Sequence, residues 1–194
     1  MISFEKKFIL ITPEKTGSVS LVTALRKYID FSKVTEQRKD CFDFGDSFGT
    51  KYAKHLPLSR YEKLWDDQVY GSLDEYHLCV SIRNPFDREV SWWKWTRRKA
   101  SQDPKDFKQF VLNFKTTPLL DKIESKKYKI KNFIRFENIE KDFKAFCVKV
   151  GIDEELPHRN KSSHMHYTKY YDDETRQIVA EKYAKDIEYF NYEY

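Results

Sequence analysis

The stretch Lys7-Phe8-Ile9-Leu10-Ile11-Thr12-Pro13-Glu14-Lys15-Thr16-Gly17-Ser18-Val19-Ser20 decides the fold. Its first half is a short apolar, β-branched run stopped by Pro13, which reads as a buried strand rather than a helix. Beyond it Val19, Val22, Leu25 and Ile29 recur at helical spacing, and Ser18 or a neighbour is expected to cap that helix. The turn between strand and helix holds a lysine, hydroxyls and a glycine where the N–H groups of a helix start point outward, an arrangement that suits a phosphate-like anion. It is not a Walker A loop, because no glycine precedes Gly17 and the lysine comes before the glycine.

The same layout returns later in the chain. Tyr76-His77-Leu78-Cys79-Val80-Ser81-Ile82-Arg83 reads as a second buried strand that stops at Asn84-Pro85. Asn is a strong N-cap and Pro is favoured in a first helical turn, so a helix is expected from Phe86 to Arg98. Lys131-Asn132-Phe133-Ile134-Arg135-Phe136 is a third strand, followed by a helix through Ile139, Phe143, Phe146, Cys147 and Val150 that Gly151 ends. Leu58 to Trp65 reads as a short helix. Asp103-Pro104 opens another, with Phe107, Phe110, Val111 and Phe114 on one apolar face. A last amphipathic helix runs from about Asp173 to Ala184, while the polar stretch Asp30 to Thr50 reads as loop. Strands alternating with helices imply an α/β class with a mainly parallel central sheet, folded as a single domain over residues 1–194, whose ligands sit beyond the carboxyl ends of the strands.

Composition narrows the partners. Fifteen Phe and thirteen Tyr against only five Gly and six Pro exclude a disordered or low-complexity chain. The net charge of +5 attracts a polyanionic ligand, nucleic acid or an anionic surface without choosing among them. No apolar run approaches the ~20 residues that span a bilayer, and the start lacks a signal-peptide layout, so a soluble, cytoplasmic protein is expected. Cys41, Cys79 and Cys147 are scattered and odd in number, which suits reduced thiols rather than disulfides or zinc.

Taken in order, Lys15-Thr16-Gly17-Ser18 and then Arg83-Asn84-Pro85, with Ser91 eight residues after the arginine, resemble the two cofactor loops of sulfotransferases that use 3′-phosphoadenosine 5′-phosphosulfate (PAPS). The resemblance implies a P-loop-like three-layer domain whose sheet is flanked by helices. It also implies that Lys15, Thr16, Gly17, Ser18, Val19 and Ser20 hold the 5′-phosphosulfate of the donor. Arg83 and Ser91 then take its 3′-phosphate, and Arg88 either reaches the same anion or pairs with a carboxylate. Lys54-His55-Leu56-Pro57-Leu58-Ser59 resembles the His-Leu-Pro-Leu segment that carries the family's catalytic histidine, which makes His55 the general base and Lys15 the partner of the departing phosphate oxygen. The segment from Ile134 to Phe143, then Asn160-Lys161-Ser162 and a tail with Asp186, Phe190 and Tyr192, is similar to the carbohydrate-type branch. That similarity points to a saccharide hydroxyl as acceptor, with Lys161 and Ser162 lining the cofactor or acceptor opening and Glu137 and Asp142 in structural roles. Two positions depart from the family: Glu14 stands where proline is usual, and Ser20 where cytosolic members place a tryptophan against adenine.

Other readings of the same residues compete. An ATP-dependent small-molecule kinase needs an acidic magnesium ligand, and none stands out. A basic nucleic-acid-binding domain would draw on Arg97-Arg98-Lys99 and Lys126-Lys127, but the 31 acidic residues interrupt any continuous basic stripe. Neither nucleic acid nor membrane is therefore expected as a partner. His158, His164 and His166 lack the accompanying carboxylates of a metal site and read as solvent-facing, so no metal is expected. Of Trp92, Trp93 and Trp95, at least two are expected in the core.

Overall fold

The structure is a computed structural model that describes residues 1–29, 55–99, 106–157 and 165–194. In chain order the elements are β1 (Ile2–Ser3), β2 (Phe8–Ile11), α1 (Ser18–Leu25), α2 (Leu58–Leu64), α3 (Asp67–Tyr70), β3 (His77–Ile82), α4 (Pro85–Lys99), α5 (Phe107–Asn113), α6 (Leu120–Ile123), β4 (Asn132–Arg135), α7 (Ile139–Lys149), α8 (Asp173–Lys182) and α9 (Ala184–Phe190). Short 3₁₀ turns at Arg26–Tyr28, Leu73–Glu75, Phe136–Asn138 and Tyr167–Tyr170 join them. They group into two compact units, one of Met1–Ile82 with Lys122–Asn160, the other of Arg83–Asp121 with Lys161–Tyr194.

The first unit is built on a four-stranded sheet in the order β1-β2-β3-β4, with the last three strands parallel and β1 antiparallel at one edge. All of β2 is buried, as is β3 after His77, which is what apolar runs covered on both faces require. β4 lies at the other edge and is half-buried apart from Ile134, so its apolar signal is weaker. The register pairs Leu10 with Cys79 and Ser81 with Ile134. Alternation then puts Phe8, Leu10, Cys79 and Ile134 on one face, where they pack with Leu21 and Leu25 of α1 and Phe143, Phe146 and Cys147 of α7. The helix α7 stops as its glycine predicts: Gly151 adopts φ +66°, and Ile152 N donates to Cys147 O at 2.9 Å across the reversal. Burial pushes the thiols of Cys79 and Cys147 up, so both stay protonated near neutral pH.

The second unit is helical. Asn84 starts α4 as expected, its Oδ1 accepting from Phe86 N at 3.0 Å. Phe86, Val90 and Trp93 of α4 meet Phe107, Phe110 and Val111 of α5 and Val179 of α8, with Trp92 partly buried against them. Two of the three neighbouring tryptophans thus serve the core. The start of α5 expected at Asp103-Pro104 lies outside the described residues, and the helix described there is capped by Asp106, whose side chain accepts from Gln109 N at 2.7 Å. The helix expected from about Asp173 to Ala184 is α8, which ends at Lys182, and a further helix, α9, follows where an aromatic tail was expected. A buried polar cluster lies at their junction: the Tyr183 hydroxyl and Thr116 Oγ1 both donate to Oε1 of Glu89, and the Lys182 ammonium stands 3.8 Å from the same oxygen. Glu89 is itself only 1% exposed; these partners satisfy its Oε1, whereas its Oε2 is buried with no hydrogen-bond partner among the described residues.

Asp186 is a second buried carboxylate of this unit. It is fully buried and accepts from Leu119 N at 2.6 Å and Leu120 N at 3.0 Å, fixing the chain as it enters α6. Burial raises its pKa, while the two N–H donors and Arg88 act against the rise. A carboxyl raised in the folded state contributes stability that is complete below the ordinary aspartate pKa and is lost as pH climbs through the folded one. Asp186→Ala strands two buried donors and is expected to cost about 2–4 kcal/mol in urea unfolding, with Asp186→Asn costing about half as much because one acceptor oxygen remains.

Candidate anion loop, histidine base and arginine turn

The loop leaving β2 is held from beneath by hydroxyls. Thr16 is fully buried and its Oγ1 lies 2.7 Å from Pro13 O and 2.6 Å from Ser81 Oγ. A carbonyl only accepts, so the single Thr16 hydroxyl proton goes to Pro13 and Ser81 donates to Thr16. The turn is thereby closed on itself and fastened to β3. Thr16 can meet an anion only through its backbone, since its side chain faces inward.

Above that fastening the backbone alternates in hand. Lys15 adopts φ +68° and Gly17 φ +88°, whereas Thr16 between them is not among the residues of positive φ. Alternation of this kind turns successive N–H groups toward one side and forms an anion-binding concavity. A left-handed conformation is costly for a lysine, so the surrounding bonds must hold it there. At Gly17 a Cβ would lie 2.7 Å from Ile139 Cδ1 and 3.2 Å from Phe136 Cδ2, so conformation and space both call for glycine. Gly17 is also the N-cap of α1, its carbonyl accepting from Ser20 N at 3.1 Å and Leu21 N at 3.3 Å. The side-chain cap expected from Ser18 is absent, because the left-handed glycine takes the capping place and Ser18 falls inside the first turn, mostly buried. Val19 is exposed and Ser20 half-buried on the next positions of α1.

His55 comes from far along the chain to the same loop. Its Nδ1 lies 2.5 Å from the carbonyl oxygen of Thr12, the residue that follows β2. Because that oxygen only accepts, the His55 Nδ1 is the donor in this bond. Pro57 then begins α2 in an extended conformation. Glu14, the loop's carboxylate, is 3.6 Å from the Lys122 ammonium. Spacing offers no sign of that pairing. The Ser81 partnership was more legible, since a serine inside Cys79-Val80-Ser81-Ile82 must find a buried partner.

The second unit begins at Arg83, directly after β3. Arg83 is 3% exposed and its Nε donates to Asp87 Oδ2 at 2.8 Å, an i,i+4 ion pair that fixes the plane of the guanidinium. Asp87 is a positioning residue that the spacing could have revealed. Asn84, besides capping α4, donates from Nδ2 to Glu193 O at 2.7 Å. Ser91 is half-buried two turns along α4. Arg88 is 1% exposed and donates from Nη1 to Thr117 O at 2.9 Å, so its guanidinium serves the interior of this unit. Asp142, expected to be structural, accepts from Arg135 N at 2.9 Å at the end of β4. His166 is exposed and its Nδ1 meets Thr168 Oγ1 at 2.9 Å. Lys161, Ser162, His158 and His164 lie outside the described residues.

A cleft of about 900 Å³ in the first unit lies elsewhere, lined by Glu62, Trp65, Asp67, Glu124, Lys127 and Tyr128 among others. Leu73 and Tyr128 in its wall precede β3 and β4, so it opens at the amino ends of the strands, opposite to the loop that follows β2. Among the described residues no cluster of metal-ligating side chains occurs, and no helix is long and apolar enough to cross a membrane. The chain matches no known protein family, no curated protein and no solved structure.

The hydroxyl fastening sets a test of the loop. Thr16→Val removes the shared hydroxyl and leaves Pro13 O and Ser81 buried without it, for an expected loss of about 1–3 kcal/mol in denaturant unfolding. Thr16→Ser, which keeps the hydroxyl, is expected to lose less.

Proposed function

We propose that the chain is a sulfotransferase with a P-loop-like fold, moving the sulfuryl group of PAPS to an acceptor hydroxyl, foremost that of a saccharide. The observation that carries the reading is the bond from His55 to Thr12 O. It joins the histidine that the resemblance makes the base to the loop expected to hold an anion, two features separated by 43 positions in sequence. The glycine-dependent turn at Lys15 and Gly17 supports the same reading, as does the buried arginine at the start of the second unit.

PAPS supplies a sulfuryl group already activated by a phosphate leaving group. His55, its Nδ1–H spent on Thr12, accepts the acceptor's proton at Nε2 as the new oxygen–sulfur bond forms and the sulfur–phosphate oxygen bond breaks. Lys15 opposes the charge that develops on the departing phosphate oxygen. The N–H groups of Thr16, Gly17 and Ser18 are the donors for the 5′-phosphate, reinforced by the start of α1. Arg83 and Ser91 are assigned the 3′-phosphate, the group that separates this donor from ATP; Asp87 holds the arginine ready for it. Within the first unit the His55–Thr12 bond and the turn at Lys15 and Gly17 are in place without a ligand, so little reorganisation of that loop is needed at the moment of transfer.

Two measurements test the proposal. Calorimetry should show 3′-phosphoadenosine 5′-phosphate binding far more tightly than ADP or AMP, with that preference lost in Arg83→Ala and in Ser91→Ala; equal affinities would remove the reading. In a sulfuryl-transfer assay with saccharide acceptors, Lys15→Ala should lower kcat by about 10²–10³-fold. His55→Ala should lose turnover while keeping nucleotide affinity, and unchanged turnover would take His55 out of the mechanism.

A further inference from the structure

Glu14 places a carboxylate in the middle of a loop built to attract anions. It lies between Pro13 and Lys15, and its side chain is 26% exposed. An uncompensated carboxylate there would repel any phosphate or sulfate at the loop and cancel much of what Lys15 offers. The carboxylate has a partner close by. Lys122, on the short helix α6, brings its ammonium within 3.6 Å of Glu14 Oε1, and its own side chain is only 16% exposed. An ion pair withdrawn this far from water is screened less than a surface pair, so its state is felt at the loop.

We infer that Lys122 is a positioning residue of the anion loop, acting through Glu14: it neutralises the carboxylate and holds it to one side, so the charge presented to the ligand is that of Lys15 and the N–H groups. This rests on the reading of the loop as the seat of the 5′-phosphosulfate. The role accounts for a carboxylate in a position that would otherwise work against the site. It also makes α6, a single helical turn, a contributor to donor binding although none of its residues touches the ligand.

A double-mutant cycle measures this directly. Binding of 3′-phosphoadenosine 5′-phosphate is followed by calorimetry for the wild type, Lys122→Met, Glu14→Gln and the double variant, at low and high salt, with AMP as a ligand of lower charge. Lys122→Met should weaken the bisphosphate about tenfold and AMP by less, since the cost is Coulombic and scales with ligand charge. Glu14→Gln should tighten binding several-fold, and the double variant should return to within about twofold of wild type. Added salt should shrink all of these differences. Lys122→Arg keeps the charge and should stay within about twofold of wild type, which separates the loss of charge from damage to the fold. Wild-type affinity in Lys122→Met, or a double variant as weak as Lys122→Met alone, overturns the role of Lys122 and leaves the sulfotransferase reading in place. A wild-type protein that binds neither nucleotide overturns both.

Discussion

Two buried hydroxyls, Thr16 against Ser81, are the contact on which the candidate site depends. Thr16 closes the turn on Pro13 and is tied to the adjacent strand, so the residues on either side of it are free of neither strain nor support. Lys15 and Gly17 adopt left-handed conformations that a lysine would not choose alone, and the bonds at Thr16 offset that cost. His55 is anchored one step earlier, on Thr12, so the histidine and the loop are tied together at the end of β2. Conformational freedom in this region is removed during folding rather than at binding, which is the general condition for tight recognition of a small charged ligand.

The parts of the fold that could be read from the sequence are those with a one-dimensional signature. The runs Phe8–Ile11 and His77–Ile82 are strands because continuous apolar, β-branched segments of that length suit the middle of a parallel sheet, and both lie within a residue or two of their expected bounds. Asn84-Pro85 and Gly151 mark helix ends through local stereochemistry and are found doing so. The edge strand Ile2–Ser3 was not legible, since a two-residue strand carries no period and exists only because β2 offers it an edge. The helix read from about Asp173 to Ala184 is found as α8, Asp173–Lys182, but α9 over Ala184–Phe190 was hidden in what read as an aromatic tail.

The site divides along the same line. Lys15, Gly17 and His55 were singled out by type and order, and the structure adds what type and order do not carry: which nitrogen of His55 meets Thr12 O, which hydroxyls face inward, and which acid stands beside Arg83. Arg88 was read as reaching the anion or pairing with a carboxylate, and the bond from its Nη1 to Thr117 O is a partner that spacing does not show. Long-range pairs such as Glu14 with Lys122 have no local sign, because their proximity is a product of the whole first unit rather than of either segment.

Both units are discontinuous in the chain, and that has a bearing on how the protein comes to be folded during synthesis. The sheet unit needs residues up to Asn160, with the segment Arg83–Asp121 standing as an insertion within it, whereas the helical unit needs α8 and α9 as well. On a ribosome that releases the chain from its amino end, the sheet unit has its whole sequence before the helical unit does. During that interval α4 and α5 are already made but still lack Val179 and Tyr183, which share their apolar cluster. Their apolar faces are therefore the surface most in need of shelter while the last helices are still being synthesised, a burden carried by the newborn chain and not by the finished protein.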